Sequence, residues 1–314
     1  MSPTIIHTLD GNVLPDTAFE YRTVSVDRLA DIRREAEIIL NGPDLSENET
    51  FRSYIENKKY DVPDSFPEAK SVIILAVFTP LALVDFQYNG GKKQVLIPPQ
   101  YYSDFITEEI LQDTIQQKII KDTGYRIENA NRQLLLKRLA VQSGLAEYGR
   151  NNITYVGWMG SFHTLYAYFT NYEFEENTWT EVKMMEHCKT CKVCLNGCPT
   201  GAIRKDTFVI DAGRCVTLYN EILGDFPEWM PKDIHNALMG CMRCQAHCPG
   251  NRESMTKPVY LQEISQYETD SILEGTVDED MMQMLSQKLN EFSPTSSPEY
   301  IPIFTRNLRA LFHE

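Results

Sequence analysis

Apolar residues recur along this chain with two different periods. After Ser25, a helix-capping residue type, Val26, Leu29, Ile32, Ala36 and Ile39 fall on one helical face, closed by Asn41-Gly42. Residues 43–70 are polar and proline-containing, which predicts loop with a short helix. Val72-Ile73-Ile74-Leu75-Ala76-Val77 is apolar at every position and rich in β-branched residues, the pattern of a fully buried strand. Asn89-Gly90-Gly91 signals a turn within Tyr88–Lys93. Ile106, Ile110, Leu111, Ile115 and Ile119 return to helical spacing, ending near Gly124. Leu135, Leu136, Leu139 and Ala140 mark a third helix that stops at Gly144. Leu165–Thr170 reads as a strand and Asp278–Leu289 as a helix. Phe292–Ser297 reads as a linker and Ile303–Phe312 as a terminal helix carrying Arg306 and Asn307. The N-terminal half is therefore mixed, of α+β or α/β class.

Between the third helix and the next strand the chain turns polar. It runs Tyr148-Gly149-Arg150-Asn151-Asn152-Ile153-Thr154-Tyr155, then Gly160-Ser161-Phe162. A Gly/Asn/Ser loop beside a buried strand suits a cofactor cradle, and it equally suits an ordinary helix-to-strand connection. His163 follows it and reads as a structural histidine. Tyr101, Tyr102 and Asp104 would line a pocket or simply pack, and Lys205-Asp206 reads as a turn.

Composition narrows the classes. A length of 314 residues suits one large or two modest domains, and 42% hydrophobic residues suit a globular chain, not collagen, coiled coil or wholesale disorder. No run approaches the ~20 apolar residues of a membrane span. Met1–Asp10 lacks a basic segment followed by an apolar one, so a cytoplasmic location without membrane contact is expected. Thirty basic residues against 44 acidic give a net charge of −14, which disfavours a nucleic-acid partner held by phosphate neutralisation.

All eight cysteines fall between Cys188 and Cys248. Cys188, Cys191, Cys194 and Cys198 form C-x2-C-x2-C-x3-C before Pro199, the bacterial ferredoxin run, in which the fourth cysteine reaches a second cluster. Cys215 stands alone, and Cys241, Cys244 and Cys248 form C-x2-C-x3-C before Pro249. Crossing the sets yields two four-thiolate [4Fe–4S] sites: Cys188, Cys191, Cys194 with Cys248, and Cys198, Cys215, Cys241 with Cys244. Structural zinc also uses C-x2-C pairs, but it does not account for four cysteines within eleven residues followed by proline. Disulfides are disfavoured by the absence of an export signal.

With these residues the sequence resembles the epoxyqueuosine reductase family, cobalamin-dependent iron–sulfur enzymes of tRNA queuosine synthesis related in design to reductive dehalogenases. The likeness covers about residues 70–250. It rests on the strand Ser71–Val77, on Leu139-Ala140 with Gly144-Leu145, and on Gly149-Arg150-Asn151-Asn152 with Gly160-Ser161-Phe162. It rests also on Cys188–Ile203, on Arg214-Cys215 and on the Cys241–Pro249 run, with a weaker echo at Thr305-Arg306-Asn307-Leu308. The resemblance implies a corrinoid-binding-type α/β domain over residues 1–180, a ferredoxin-like double [4Fe–4S] domain over 181–255, and a C-terminal helical segment over 256–314. It implies a base-off cobalamin or other corrinoid held by Gly149, Arg150, Asn151, Asn152, Tyr155, Gly160, Ser161 and Phe162. A flavodoxin- or ferredoxin-type donor would supply electrons through the clusters to cobalt.

Three departures matter. The D-x-H-x-x-G signature of other corrinoid proteins is absent; Asp233-Ile234-His235-Asn236-Ala237-Leu238 comes nearest, and His235 reads as an ordinary helix residue. The family's acidic proton donor falls at Ala130, leaving Glu128, two residues earlier, as the candidate catalytic acid. The family's Glu-Arg pair is here Leu136-Lys137. Together with the acidic balance, these point to a reductase acting on a small molecule in preference to tRNA. Two alternatives stand beside it: an electron-transfer protein that activates a partner's corrinoid or metal centre, and epoxyqueuosine reduction on tRNA itself.

Overall fold

The computed structural model describes residues 13–42, 49–103, 106–175, 178–205, 209–292, 295 and 297–313. The expectations for Met1–Asp10, Asp104 and Asp206 fall outside them. Contacts divide the chain into two units, Met1–Phe78 with Ile106–Cys191, and Thr79–Phe105 with Lys192–Glu314.

The first unit is built on the apolar run near residue 72. Strand Ser71–Phe78 is buried at all eight positions because it is central in a four-stranded sheet. Strand Phe19–Ser25 pairs with one edge, Val24 opposite Val72, and His163–Thr170 with the other, Phe169 opposite Val72. Ile127–Asn129 completes the sheet beside His163–Thr170. Every pairing is antiparallel, so this unit takes the α+β form of the expected class. Ser25 caps a short 3-10 turn, Val26–Arg28, and the α-helix proper runs Leu29–Asn41 with Leu29, Ile32 and Ala36 buried. Glu49–Glu56 is the short helix expected in the polar stretch. Helix Leu136–Gln142 packs on the two central strands and ends before Gly144, whose φ is +76°.

The helix expected from Ile106 toward Gly124 is shorter. Thr107 caps Glu108–Thr114, the chain widens into a π-helix over Ile115–Ile120, and Lys121 ends it in the left-handed region at φ 57°. An apolar spacing cannot register that widening, since i, i+4 and i, i+5 neighbours still share a face.

In the second unit, Ala82–Tyr88 and Gly91–Ile97 form a hairpin around Asn89 and Gly90, at φ 52° and 75°. Two left-handed residues in a row make the turn whose twist suits two paired strands. Val259–Tyr260 adds in parallel beside Ala82–Leu83. Helix Gln266–Glu274 starts with a capping box of Ser265 and Glu268, and Asp278 caps Glu279–Lys288. Ile301–Phe312 is the terminal helix. Phe292, expected in a linker, is a core residue, buried and set edge-on to Phe304. Among the described residues no helix is long and apolar enough to cross a membrane.

Candidate functional site

All eight cysteines are free thiols, which removes the disulfide reading. Their local backbone follows from the prolines. Helix Val193–Gly197 stops before Cys198, extended at φ −80°, ψ 110°, and helix Arg243–Ala246 stops before Cys248, extended at φ −68°, ψ 126°. A residue preceding proline is pushed out of the helical region, so Pro199 and Pro249 fix both exits. The two short helices, both in the second unit, pack against one another.

Cys198, Cys215 and Cys241 lie within electrostatic reach of each other. Burial pushes the Cys215 thiol up, and burial pushes that of Cys241 to about 11, with the charges of Cys215 and Cys198 adding to the rise. Buried sulfurs that repel one another as thiolates are stabilised by bound iron, whose charge reverses both effects. Three of the four residues read from spacing as one cluster's ligands are thus gathered in space, and Cys244 sits on the helix directly after Cys241. Among the described residues no three His, Cys, Asp or Glu side chains converge as around a single ion.

Further residues of the second unit brace this segment. Asn307 Nδ2 donates to the carbonyls of Asn220 and Leu238, both at 2.9 Å. Arg306 donates to the carbonyls of Tyr219 (2.7 Å) and Ile222 (2.9 Å), and also to that of Gly224. Asn220 Nδ2 donates to Gly240 O at 2.8 Å, beside Cys241. The Arg306-Asn307 echo therefore has a physical basis: it staples the terminal helix to the peptides flanking Cys215 and Cys241. Tyr101 packs where a Cβ on Gly240 would stand (2.5 Å from its ring) and hydrogen-bonds half-buried Glu221, while Tyr102 is buried and accepts from Asn290 at 3.1 Å. Both tyrosines pack. His235 lies in an irregular segment, not in the helix expected of it, with its ring 4.3 Å from that of Phe226. Burial, then Arg306 and Arg243, push its pKa down to about 4.

In the first unit the Gly149–Phe162 loop is a closed structure. Gly149 N donates to Ile153 O (2.8 Å) and Asn152 N to Gly149 O (2.9 Å). A Cβ on Gly149 would stand 2.5 Å from both Asn151 Oδ1 and the Tyr155 ring, so only glycine fits. Asn152, Gly157 and Gly160 take positive φ of 60°, 40° and 58°. Asn151, Tyr155, Ser161 and Phe162 are buried, and Asn151 donates to the Tyr155 hydroxyl at 3.1 Å. Lys137, the residue standing in the family's Glu-Arg pair, holds Asn152 O at 3.1 Å. Arg150 reaches out of the loop: Nη2 donates to Cys188 O at 2.5 Å and Nε to Cys191 O at 3.3 Å. The loop is therefore joined directly to the backbone of Cys188 and Cys191, a link that no spacing rule announces.

His163 is structural. Gly160 O can only accept, so Nδ1 carries the proton at 3.1 Å, and Nε2 accepts from Thr154 Oγ1 at 3.1 Å. With both nitrogens engaged, it is no metal ligand. His187 is exposed. Glu128 lies on strand Ile127–Asn129 and not on a helix. Its carboxylate accepts from Arg126 Nη2 at 2.6 Å and Ser65 Oγ at 3.0 Å, while Arg126 stacks over Phe66. Ala130 is fully buried, its N–H bonded to Ala167 O. A catalytic role for Glu128 requires breaking its pair with Arg126.

Within this loop buried Asn151 bonds to Tyr155 and Arg150 bonds to the carbonyls of Cys188 and Cys191, while Asn152 is half-buried at its surface.

Comparisons with known proteins agree with the cysteine chemistry. Residues 187–251 match the family model of a 4Fe-4S double cluster binding domain. The chain is 27% identical over 201 residues to the epoxyqueuosine reductase of Atelocyanobacterium thalassa (isolate ALOHA), covering 62% of this chain and 63% of that protein. Against that of Bacillus subtilis (strain 168) it is 26% identical over 200 residues, covering 59% and 48%. The matches thus span between about half and 63% of the length of these relatives. Epoxyqueuosine reductase structures from Streptococcus thermophilus and Bacillus subtilis share the fold, with TM-scores of 0.59 and 0.60, covering 93% of this chain and 76% and 77% of theirs, at 19% and 21% identity. A further neighbour, TM-score 0.58 at 19% identity and covering 93% of this chain and 76% of its own, is an epoxyqueuosine reductase with an epoxyqueuosine-modified tRNA stem loop. The chain is thus similar to epoxyqueuosine reductases in sequence and in fold.

Proposed function

We propose that this relative of the epoxyqueuosine reductases is an iron–sulfur oxidoreductase that relays electrons through two [4Fe–4S] clusters to a substrate-reducing centre. The observation that carries it is the pairing of two Cys-Pro-terminated helices, with Cys198, Cys215 and Cys241 gathered beside them. Cys188, Cys191, Cys194 and Cys248 would hold one cluster, and Cys198, Cys215, Cys241 and Cys244 the other. The Gly149–Phe162 loop would hold a corrinoid, which when bound supplies low-potential reductive chemistry. Asn151, Tyr155, Ser161 and Phe162 would act by keeping the loop's shape, and Gly149 by permitting its closure. Arg150 would fix the loop to the cluster-bearing segment. A flavodoxin- or ferredoxin-type protein would supply electrons, and the working location would be cytoplasmic.

The substrate reading changes with the relatives. A preference for a small molecule over tRNA rested on the charge of −14 and on Ala130. The relatives' names and the tRNA-bound neighbour favour a modified nucleoside on tRNA as the first substrate class to test. One observation keeps a second reading: at the position of the family's acid, Ala130 offers only a buried methyl group, so proton delivery must differ or the substrate must. The test is single-turnover reduction by the reconstituted, cobalamin-loaded chain of an epoxyqueuosine-bearing stem loop, followed by mass spectrometry of the nucleoside. Conversion supports the tRNA reading. No conversion by a chain that holds both clusters and cobalt supports a different substrate.

A further inference from the structure

Arg150 belongs by sequence to the cofactor loop, but its guanidinium faces the backbone of two cluster cysteines. We propose that Arg150 is a positioning and tuning residue that raises the reduction potential of the cluster held by Cys188 and Cys191. The inference rests on the two-cluster reading above.

Three observations carry it. The side chain donates to Cys188 O at 2.5 Å and to Cys191 O at 3.3 Å, so one cation spans both ends of the C-x2-C turn. It is half-buried, whereas the neighbouring charges of Glu186 and Lys189 pair with each other at 2.6 Å in solvent, where water screens them. The position of Arg150 is fixed from its own side. The Gly149–Ile153 turn is closed by two backbone hydrogen bonds, and Gly149 has no room for a side chain. The cation is therefore preorganised and does not wander.

The physical consequence has a definite sign. A cluster with four thiolate ligands is anionic, and reduction adds one more negative charge. A fixed cation beside its ligands favours the reduced form more than the oxidised one. The guanidinium also occupies the negative ends of two carbonyl dipoles that would otherwise oppose reduction. Arg150 therefore makes this cluster easier to reduce than it would be without the cation.

The experiment compares wild type, Arg150→Lys and Arg150→Gln as full-length chains reconstituted anaerobically with iron and sulfide. Iron and sulfide are counted, and the two clusters are titrated under EPR, their signals assigned with Cys241→Ser. Arg150→Gln keeps its iron, and at a fixed potential the reduced-to-oxidised ratio of the first cluster falls about tenfold, equivalent to ~59 mV for one electron. The second cluster keeps its midpoint, and Arg150→Lys recovers most of the shift. Unmoved midpoints at full iron load overturn the proposal, as does an equal shift of both clusters. Selective loss of the first cluster from Arg150→Gln also overturns it, since Arg150 would then only anchor the ligand segment. A wild-type chain that takes up no clusters fails earlier, at the function reading itself.

Discussion

Replacing Asn307 with alanine probes whether the terminal helix holds a cluster site together. The side chain is buried, its Nδ2 bonded to Asn220 O and Leu238 O at 2.9 Å each and its Oδ1 to Arg306 at 2.9 Å and 3.2 Å. Alanine leaves two buried carbonyls without this donor. Each such loss costs about 1–3 kcal/mol, so the sum is roughly 2–6 kcal/mol. For a domain of this size 1 kcal/mol moves the melting midpoint by about 2–4 °C, which predicts a fall of at least about 4 °C. Because Asn220 follows Cys215 on one helix and holds the carbonyl before Cys241, iron should be lost preferentially from that cluster. The assay is a circular-dichroism melt of anaerobically reconstituted protein with a parallel iron count. Asn307→Asp, nearly isosteric but without the Nδ2 donors, should behave like alanine. A melting midpoint within about 1 °C of wild type with full iron would refute the reasoning.

His163 makes stability depend on pH. Burial, its largest influence, pushes its pKa down to about 4, against an unfolded value near 6.5. Between those values the unfolded chain takes up a proton that the folded chain refuses, so stability falls as pH drops through this window, by about 1.4 kcal/mol per unit. Urea midpoints at pH 7 and pH 5 should differ less in His163→Asn; an unchanged difference would contradict the assignment. Gly149→Ala places a Cβ 2.5 Å from Asn151 and Tyr155, both buried. It should cost about 1–3 kcal/mol and loosen Arg150 from Cys188, read as a lower melting midpoint and a shifted EPR signal of the first cluster. Glu128→Gln should alter stability by less than about 1 kcal/mol, as for an exposed ion pair. It should leave turnover within a few-fold of wild type. A loss of the order of 10²-fold or more would instead make Glu128 the proton donor.

Some of this architecture was written plainly in the chain. An all-apolar run such as Val72–Val77 has one stable place, the centre of a sheet, and it is there. The cysteine–proline spacing carried the cluster chemistry because proline dictates the backbone of the residue before it. Other features depend on partners far away in sequence. Glu128 falls on a strand because Ile127–Asn129 pair with His163–Thr170, a tertiary contact that no local pattern announces. The Asn89-Gly90 turn was legible, whereas the strand Ala82–Tyr88 leading into it was not read, and nothing local says that Thr79–Phe105 joins the second unit. Phe292 looks like linker because its core neighbour Phe304 lies beyond a stretch of Ser, Thr and Pro. The bond from Arg150 to Cys188 spans 38 residues and follows no periodicity.

The central claim is that this chain holds two four-iron clusters, and a count of iron and acid-labile sulfide tests it most directly. The measurement is made on full-length protein reconstituted anaerobically with iron, sulfide and cobalamin, then desalted. Two clusters predict about eight irons and eight sulfides per chain, falling to about four of each in Cys241→Ser. Zinc in place of iron, or about four irons in the wild type with no loss on changing Cys241, would contradict the account.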